Sequence, residues 1–522
     1  MARSSRYSKF QNVFGQHTLE KFNGLSIHNQ HSEGSGLAVS FSHLAFPHGA
    51  SGNVVCGIAM KSIGDRSPQL FLGKHHKGAI QDLQFSPLCE NLLATCSNDM
   101  TVKIWKIPYD DTGDNPVNLV PLITFLGHHR KVVTCRFNPV VSSVLASGCY
   151  DQTIKIWDLQ KQEAMLETKL YDVMYHLKWN RLGNLLAVST KNKYINIFDP
   201  RVTKSITQIE SHLGGKPTKV EWFGGSLVPE HYLFTTGFDK GANRVYQFWD
   251  TRNTAQPCLK GLLSKGTNSL FPYWDEDTGL LFLAARGDAS VHVMEYMDGD
   301  FYNRSSCGSF SGCRGFDMGP KRLVNTSKCE IARCFIIESN ETIQPLEFIV
   351  PREIKKFYAD LYPPCFRGQP SLDSNEWFQG QVATQYYRAS MEPLEDGTSP
   401  FAIRVYDGPN DSSCFNVASL KKRTFLEKRQ DSFGQEDKHN SSSTIEFSPS
   451  TSDDKDPLQN CALLITQLNE KIKTLEHKNF ILTEKNKQLQ KIFDLCEKTM
   501  KAVYSKGLKE SNEMPYVEDR NL

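Results

Sequence analysis

A gapless internal repeat constrains the fold of this 522-residue chain more than any other feature. Each copy contains short runs of alternating apolar residues (TVKIW in the first, TIKIW in the second) that follow turn residues (SNDM and CYDQ). This alternation is typical of strands joined by tight turns. Corresponding residues are 52 positions apart: His76 and His128, Phe85 and Phe137, Asp99 and Asp151, Trp105 and Trp157.

The repeated pattern resembles the WD40 repeat, in which each copy forms one four-stranded blade of a β-propeller. The resemblance implies a polar network in which a buried His bonds a strand Ser or Thr and a turn Asp, while the Trp indole completes the set. Recurrence at a fixed period indicates a scaffold, so we predict no catalytic role for it. The network candidates are His76, Thr95, Asp99 and Trp105, then His128, Ser147, Asp151 and Trp157.

Weaker copies follow at residues 172–201, 214–252 and 269–296, and strand-like runs in residues 8–60 and 300–350 supply two more units. We therefore predict an all-β chain with a seven-bladed WD40 β-propeller over residues 1–350. The segment SKFQNVFG (residues 8–15) is strand-like but precedes the first clear repeat. We expect it to pair with a late strand, because ring closure removes exposed strand edges.

The chain changes character after about residue 400. Residues 351–400 are expected to form a C-terminal extension packed on the propeller, and residues 401–457, rich in Ser, Asp, Lys and Pro, a disordered linker. A basic cluster in this linker is either a solvated charge run or a docking strip for an acidic protein surface. It comprises Lys421, Lys422, Arg423, Lys428 and Arg429.

Residues 458–506 carry an unbroken heptad pattern and predict an α-helical coiled coil that oligomerises the chain, followed by a tail at 507–522. Two Asn residues at a positions favour a dimer. The segment Lys471–Glu476 is similar to a trimer signature, with Lys in place of Arg, so dimer and trimer both remain open. The predicted core consists of Leu458, Ile465, Leu468, Ile472, Leu475, Asn479, Leu482, Asn486, Leu489 and Phe493.

Charge and motif content exclude several function classes. Sixty Lys and Arg residues against 58 Asp and Glu residues leave a formal charge of +2, which gives no global attraction to nucleic acid or to an anionic membrane. The chain has no apolar run of membrane-spanning length, no secretory h-region and no phosphate-loop, zinc or nucleophile-elbow motif. The acidic run Asp275–Asp277 is interpreted as a solvated turn. We expect a cytoplasmic protein that is not an enzyme and needs no cofactor or metal.

Several short blocks are similar to those of the coronin family and occur in the family's order. SKFQNVFG resembles the N-terminal motif, and Met318–Arg322 with Ser327–Arg333 resembles a later block of the propeller. Val350–Arg352, Asp360–Pro363 and Glu376–Gly380 resemble the start and the later part of the C-terminal extension. The resemblance covers about residues 5–395 in sequence and the whole chain in architecture.

Membership of this family implies an actin-filament-binding regulator of filament branching and turnover, with roles in cell motility, endocytosis or phagocytosis. It also implies a location at the actin cytoskeleton and cell cortex, and as further partners the actin-related-protein nucleating complex and cofilin. Some relatives carry a basic residue in the first blade, whereas Phe22–His28 contains no Arg or Lys. The alternative is an actin-independent WD40 scaffold or adaptor. The candidate filament contacts are Arg3, Arg6, Lys9, Lys421, Lys422, Arg423, Lys428 and Arg429.

Overall fold

The computed structural model describes residues 8–28, 34–109, 115–202, 207–225, 228–308, 312–353, 356–383 and 387–393. The linker and the predicted coiled coil lie outside these ranges. Within them, the alternating apolar runs form short strands that assemble into seven antiparallel sheets of four strands, one of which carries an additional parallel strand. The predicted seven-bladed β-propeller is confirmed.

The blades follow one another along the chain. The first strand, β1 (Phe14–His17), precedes blade 1. Blade 1 comprises β2 (Ala38–Val39), β3 (His43–His48), β4 (Val54–Ala59) and β5 (Leu70–Gly73). Blade 2 comprises β6 (Ile80–Phe85), β7 (Leu92–Ser97), β8 (Val102–Lys106) and β10 (Ile123–Phe125). The strand between β8 and β10, β9 (Val117–Leu119), pairs in parallel with β5 of blade 1. Blade 3 comprises β11 (Val132–Phe137), β12 (Val144–Cys149), β13 (Thr153–Asp158) and β14 (Glu163–Lys169).

The remaining blades repeat the same order. Blade 4 comprises β15 (Met174–Trp179), β16 (Leu186–Thr190), β17 (Tyr194–Phe198) and β18 (Thr207–Glu210). Blade 5 comprises β19 (Lys219–Phe223), β20 (Tyr232–Phe238), β21 (Arg244–Asp250) and β22 (Leu259–Leu262). Blade 6 comprises β23 (Phe271–Asp275), β24 (Leu280–Ala284), β25 (Ser290–Met297) and β26 (Asp300–Gly308). Blade 7 comprises β27 (Gly315–Met318), β28 (Glu330–Ile337), β29 (Ile343–Ile349) and, as its outer strand, β1.

The pairing of β1 with β29 closes the ring. The register runs from Phe14 opposite Ile349 to His17 opposite Leu346, so the N-terminal segment completes the last blade as predicted. Phe10 and Val13, just before β1, are buried in the same apolar cluster as Phe348. The first blade itself occupies residues 38–73 and not 8–60, because residues 18–28 run along the outside of blades 7 and 1.

The extension contains little regular structure. Helix α1 (Ser374–Phe378) is stabilised by a capping box between Asp373 and Glu376, and β30 (Cys365–Phe366) pairs with β31 (Arg388–Ala389). Short 3₁₀ turns occur at Met60–Ser62, Lys321–Leu323 and Thr326–Lys328. Trp377 of α1 is fully buried and packs edge-to-face on Trp179 of blade 4, at a centroid distance of 5.8 Å.

Removal of residues 1–17 is expected to lower the melting temperature of the whole propeller. The deletion takes away β1 together with Phe10 and Val13, and burial of each apolar side chain contributes about 1.5–3 kcal/mol. It also exposes the edge of β29. Circular dichroism melting of the full chain measures the effect. Deletion of residues 1–7, which leaves all these contacts in place, is the matched control, and equal melting of the two variants would contradict the closure role.

Candidate interaction site

The predicted network residues of blade 2 form one directed chain of hydrogen bonds. Trp105 Nε1 donates to Thr95 Oγ1 at 2.8 Å, and Thr95 Oγ1 lies 2.8 Å from Nε2 of His76. Nδ1 of His76 lies 2.8 Å from Oδ2 of Asp99, which also accepts from the backbone N–H of Lys77 at 2.8 Å. Burial lowers the pKa of His76, and the neutral imidazole then donates to Asp99 and accepts from Thr95. This chain of hydrogen bonds joins the connection that leads into blade 2 to the turn between β7 and β8 of the same blade.

Blade 3 repeats this arrangement. Trp157 Nε1 donates to Ser147 Oγ at 2.7 Å, Ser147 Oγ lies 2.7 Å from Nε2 of His128, and Nδ1 of His128 lies 3.4 Å from Asp151. Burial lowers the pKa of His128 to about 4. Cys149 stands where blade 2 has Ser97, and its Sγ approaches His128 and Asp151 closely enough to suggest a metal-binding group. Because its thiol donates to Arg130 O at 3.0 Å and burial raises its pKa to about 12, this cysteine fits a structural role better.

Blade 4 has lost the whole network. Val188 occupies the position of Ser147, Phe198 that of Trp157, and both belong to one buried apolar cluster. A complete apolar substitution leaves no polar atom unsatisfied, whereas a partial one would. The degenerate sequence of this copy is therefore consistent with an intact blade.

Blade 5 retains three of the four partners. His212 Nε2 lies 2.9 Å from Thr235 Oγ1, which accepts from Trp249 Nε1 at 3.3 Å. The sequence alignment missed His212 and Thr235 because the longer loops of this copy change the spacing between them. Asp239, which the pattern placed in this copy, bonds Asn243. Burial lowers the pKa of His212 to about 4.

In blade 6 the turn aspartate, Asp288, has an arginine partner from the neighbouring blade. Arg244 of blade 5 is buried and donates to both carboxylate oxygens of Asp288, at 2.6 and 2.9 Å. Its Nε also donates to Asn268 O at 2.7 Å. The turn carboxylate of this blade thus forms an ion pair with the neighbouring blade.

Indole donors form a second set of inter-blade contacts at the ends of inner strands. Trp179 donates to Arg136 O at 3.1 Å, Trp222 to Lys178 O at 3.2 Å and Trp274 to Gly224 O at 2.9 Å. Each bond joins a blade to the preceding one. Sequence reading missed this role because it considered only the tryptophans of the repeat motif, although all three follow an apolar-x-Trp pattern (HLKW, KVEW and FPYW).

The inner strands surround an axial cavity of about 490 Å³. Its charged groups are paired between blades: Arg136 donates to Asp82 of the preceding blade, and Lys178 donates to Glu221 at 2.6 Å. Asp317 accepts from the backbone of Val39 at 2.8 Å and from the hydroxyl of Tyr273, which connects blades 1, 6 and 7. These paired groups stabilise the inner ring.

The interpretation of Asp275–Asp277 as a solvated turn is wrong. Asp275 forms an ion pair with Lys321, and Glu276 lies 2.8 Å from Arg181 and 3.5 Å from Arg388. Asp277 is buried, and burial together with the neighbouring carboxylate of Asp275 raises its pKa to about 7. The basic partners of these carboxylates belong to blade 4, blade 7 and the extension, which are distant in sequence. The local sequence around Asp275–Asp277 therefore does not reveal them.

These contacts place the extension at one end of the propeller. In every blade, the turn between the first and second strands (a–b) and the loop between the third and fourth (c–d) lie at the same end, since consecutive strands are antiparallel. The extension bonds this end: Trp377 Nε1 donates to Gly183 O at 2.8 Å, Ser371 N to Val140 O at 2.8 Å, and Arg388 contacts Glu276. We call it the covered end.

The opposite end carries the b–c turns and the d–a connections between blades, and we call it the open end. The contacts described for the extension leave it free. Between blade 1 and blade 7, its described d–a connections contain only Asp172 as an acidic residue. The basic residues of these connections are Lys74, Lys77, Arg130, Lys131, Lys216, Lys265 and Arg314.

Charge at the two ends is organised differently. Arginines at the covered end are paired with carboxylates: Arg181 with Glu230 and Glu276, and Arg322 with Glu90. At the open end, Lys74, Lys77 and Arg130 are exposed and their side chains form none of the ion pairs described. An unpaired cation attracts an acidic partner, whereas a paired one is already satisfied.

Of the basic residues that the sequence offered as filament contacts, only Lys9 falls within the described ranges. Lys9 is exposed, its ammonium donates to Asp360 O in the extension, and partial withdrawal of the ammonium from water lowers its pKa. Lys9 therefore contacts the extension, and its role as a filament contact stays a prediction. Arg3, Arg6 and the cluster Lys421–Arg429 lie outside the described residues, as does the coiled-coil core.

The fold and its networks define a WD40 β-propeller. Residues 67–106 and 119–158 match the family described as WD domain, G-beta repeat, and residues 343–385 match a type of WD40 repeat. Among the residues that the structure describes, no helix is long and apolar enough to cross a membrane.

Comparison with known proteins narrows the class. The chain is 33% identical over 388 residues to the coronin-like protein crn1 of Schizosaccharomyces pombe, covering 73% of this chain and 64% of that protein. It is 29% identical to human coronin-2A, covering 72% of each. The crystal structure of the WD40 domain from Toxoplasma gondii coronin superimposes with a TM-score of 0.70 at 33% identity, covering 73% of this chain and 98% of that one.

The chain belongs to the coronin family. It spans slightly less than two thirds of the coronin-like proteins of Schizosaccharomyces pombe and Saccharomyces cerevisiae, at 64% and 62% of their lengths. The resemblance read from the short sequence blocks is thereby confirmed.

The Arg244–Asp288 pair is expected to be strongly coupled. Arg244→Met should destabilise the propeller by about 3–5 kcal/mol, because it leaves Asp288 without its partner at a site largely withdrawn from water. The double variant Arg244→Met/Asp288→Asn should lose less than the sum of the single losses. Urea unfolding measures the cycle. Arg252→Met is the control, since Arg252 pairs with Asp250 but is 66% exposed and should contribute under about 1 kcal/mol. If the losses in unfolding free energy of the two single variants add up to that of the double variant, Arg244 and Asp288 are not energetically coupled and the prediction is wrong.

Stability is expected to fall as the pH is lowered from 7 to 4. The pKa of His212 is about 4 in the folded protein, against about 6.5 when unfolded, so between these values the unfolded chain binds a proton that the native chain excludes. Exclusion of that proton lowers the free energy of unfolding by up to about 3 kcal/mol per histidine, and His128 adds a similar effect. His212→Gln should melt lower at pH 7 but show a shallower decline with acid. Thermal melts at several pH values measure this, with exposed His75→Gln as the control. A decline in His212→Gln as steep as in the wild type would exclude His212 as a source.

Proposed function

We propose that this protein binds actin filaments and organises them, as a non-enzymatic regulator of the cytoskeleton. Membership of the coronin family, at 33% identity to a relative's WD40 domain over 98% of that domain, is the observation that carries the proposal. The unpaired cations of the open end support it, because an acidic filament surface complements them.

The finer roles follow from the same family relationship. We propose that the protein modulates filament branching and turnover, with the actin-related-protein nucleating complex and cofilin as further partners. These activities place it in the cytoplasm at the actin cytoskeleton and cell cortex, where they serve cell motility, endocytosis or phagocytosis. The paired and buried ionisable groups of the propeller are consistent with a scaffold role, and we propose no catalytic activity, cofactor or nucleic-acid partner.

Multivalency is proposed to supply much of the affinity. The heptads of residues 458–506 would join two or three propellers, and a flexible linker over residues 407–457 would have an r.m.s. reach of about 40 Å. Such a reach lets a second propeller bind a neighbouring subunit as an effectively intramolecular event. The alternative function, an actin-independent scaffold that oligomerises through the same helix, shares the coiled coil but not the filament contact.

Co-sedimentation with purified actin filaments tests this mechanism. Leu468→Asp/Leu475→Asp places charge in the predicted helical seam and should yield a folded monomer by light scattering, because buried unpaired charge is strongly disfavoured. We expect the monomer to bind filaments about 100-fold more weakly than the wild type. Residues 1–400 should behave like the monomeric variant.

The matched control is Lys473→Ala/Lys487→Ala, which changes two predicted b positions away from the a/d seam, and it should remain oligomeric and bind normally. Equal binding by the monomer and the wild type would remove the multivalent mechanism. If the wild-type protein itself does not co-sediment with filaments at low salt, the scaffold alternative is favoured.

A further inference from the structure

Exposed apolar side chains stand among the cations of the open end. Tyr171 is 88% exposed and Leu126 is 71% exposed, both in d–a connections, and Met100 and Leu213 are also exposed there. Clustered apolar side chains with basic neighbours characterise protein-binding surfaces, in which aromatic residues and Met provide the buried anchors.

The loops that carry these side chains are contiguous. Backbone hydrogen bonds join the b–c turn of each blade to an adjoining d–a connection across blades 2, 3 and 4. The donor and acceptor pairs are Asn98 to Ala79 (3.0 Å), Tyr150 to Lys131 (3.1 Å), Leu170 to Gln152 (2.7 Å), Lys191 to Val173 (2.8 Å) and Ser211 to Lys193 (2.9 Å). Met100 and Leu126 belong to neighbouring loops, because the strands that follow and precede them are paired, with Val102 opposite Phe125. These loops therefore form one surface.

The charge of this surface is predominantly positive. Its aspartates are engaged: Asp99 and Asp151 bond the network histidines, and Asp172 accepts from the backbone of Val173 at 2.7 Å. Its cations take part in none of the ion pairs described; Lys131 Nζ lies 3.9 Å from the ring centroid of Tyr150, and Lys193 Nζ donates to Leu213 O at 2.8 Å. The basic residues are Lys74, Lys77, Arg130, Lys131, Lys191, Lys193 and Lys216.

We infer that the open end of blades 2 to 4, comprising these cations with Met100, Leu126, Tyr171 and Leu213, is the surface that contacts the acidic face of actin subunits. The inference rests on the proposed function and adds the location of the contact. The cations accelerate encounter by long-range attraction, and the apolar side chains are buried once the proteins meet. An anionic membrane is the competing occupant of a basic surface. The separate, hydrogen-bonded loops do not form the continuous amphipathic helix that lies in a membrane interface.

Two variants of the full-length protein separate the charged and apolar contributions. Lys77→Glu/Arg130→Glu reverses two exposed charges whose backbone groups, and not their side chains, form the described hydrogen bonds. We expect it to raise the concentration for half-maximal co-sedimentation by tenfold or more at low salt and to flatten the salt dependence. Tyr171→Ala should weaken binding about tenfold while leaving the salt dependence unchanged.

Lys61→Glu/Arg66→Glu is the matched control, because both residues are exposed in the c–d loop of blade 1 at the covered end. It should bind like the wild type, and all variants should melt at the wild-type temperature. If both open-end variants bind filaments with wild-type affinity, the proposed location of the contact is wrong, whereas the proposed function stands. Failure of the wild type itself would reject the proposed function. Variants that bind filaments normally but lose binding to phosphatidylserine vesicles would assign the surface to a membrane.

Discussion

Ring closure is the constraint on which the rest of this structure depends. Each blade buries one face against each neighbour, so a row of seven blades is stable only when the last meets the first. The chain closes the row by placing β1 beside β29, more than 300 residues later. Gly15 permits the approach, because a Cβ there would lie 2.4 Å from Cβ of Cys307 in blade 6. The N-terminal motif is therefore part of the propeller's packing.

Within the closed ring, the blades satisfy the polar groups of the repeat network in different ways. Blades 2 and 3 hold all four network partners, and blade 4 substitutes Val188 and Phe198 within an apolar cluster. Blade 6 keeps only the carboxylate of Asp288, and Arg244 of the preceding blade pairs with it. Blade 5 is an intermediate case: His212 still bonds Thr235, but its Nδ1 is buried without a hydrogen-bond partner, which carries an energetic cost. The sequence differences among the copies thus correspond to different sets of contacts in the same position: a hydrogen-bond network, an apolar cluster or an ion pair.

Sequence reasoning predicted what depends on local periodicity and could not predict what depends on contacts between distant blades. Strand alternation and the 52-residue spacing of His76 and His128 were sufficient for the architecture and for the closing role of SKFQNVFG. The longer loops of blade 5 concealed His212, since the spacing rule no longer applied. The environment of Asp277 was misjudged because its basic neighbours come from blades 4 and 7 and from the extension. The open end was not foreseen, because only topology assigns Lys77 and Arg130 to one surface.

The networks also bear on how the open end recognises a partner. His76 and His128 are anchored through their rings to Asp99 and Asp151, and the backbone N–H groups of Lys77 and His129 donate to the same carboxylates. A loop held in this way loses little further freedom on binding, which lowers the entropic cost of association. Lys77 and His129, which follow the two buried histidines, are exposed to solvent. The polar network of each blade thus holds the backbone beneath the exposed cations of the proposed binding surface.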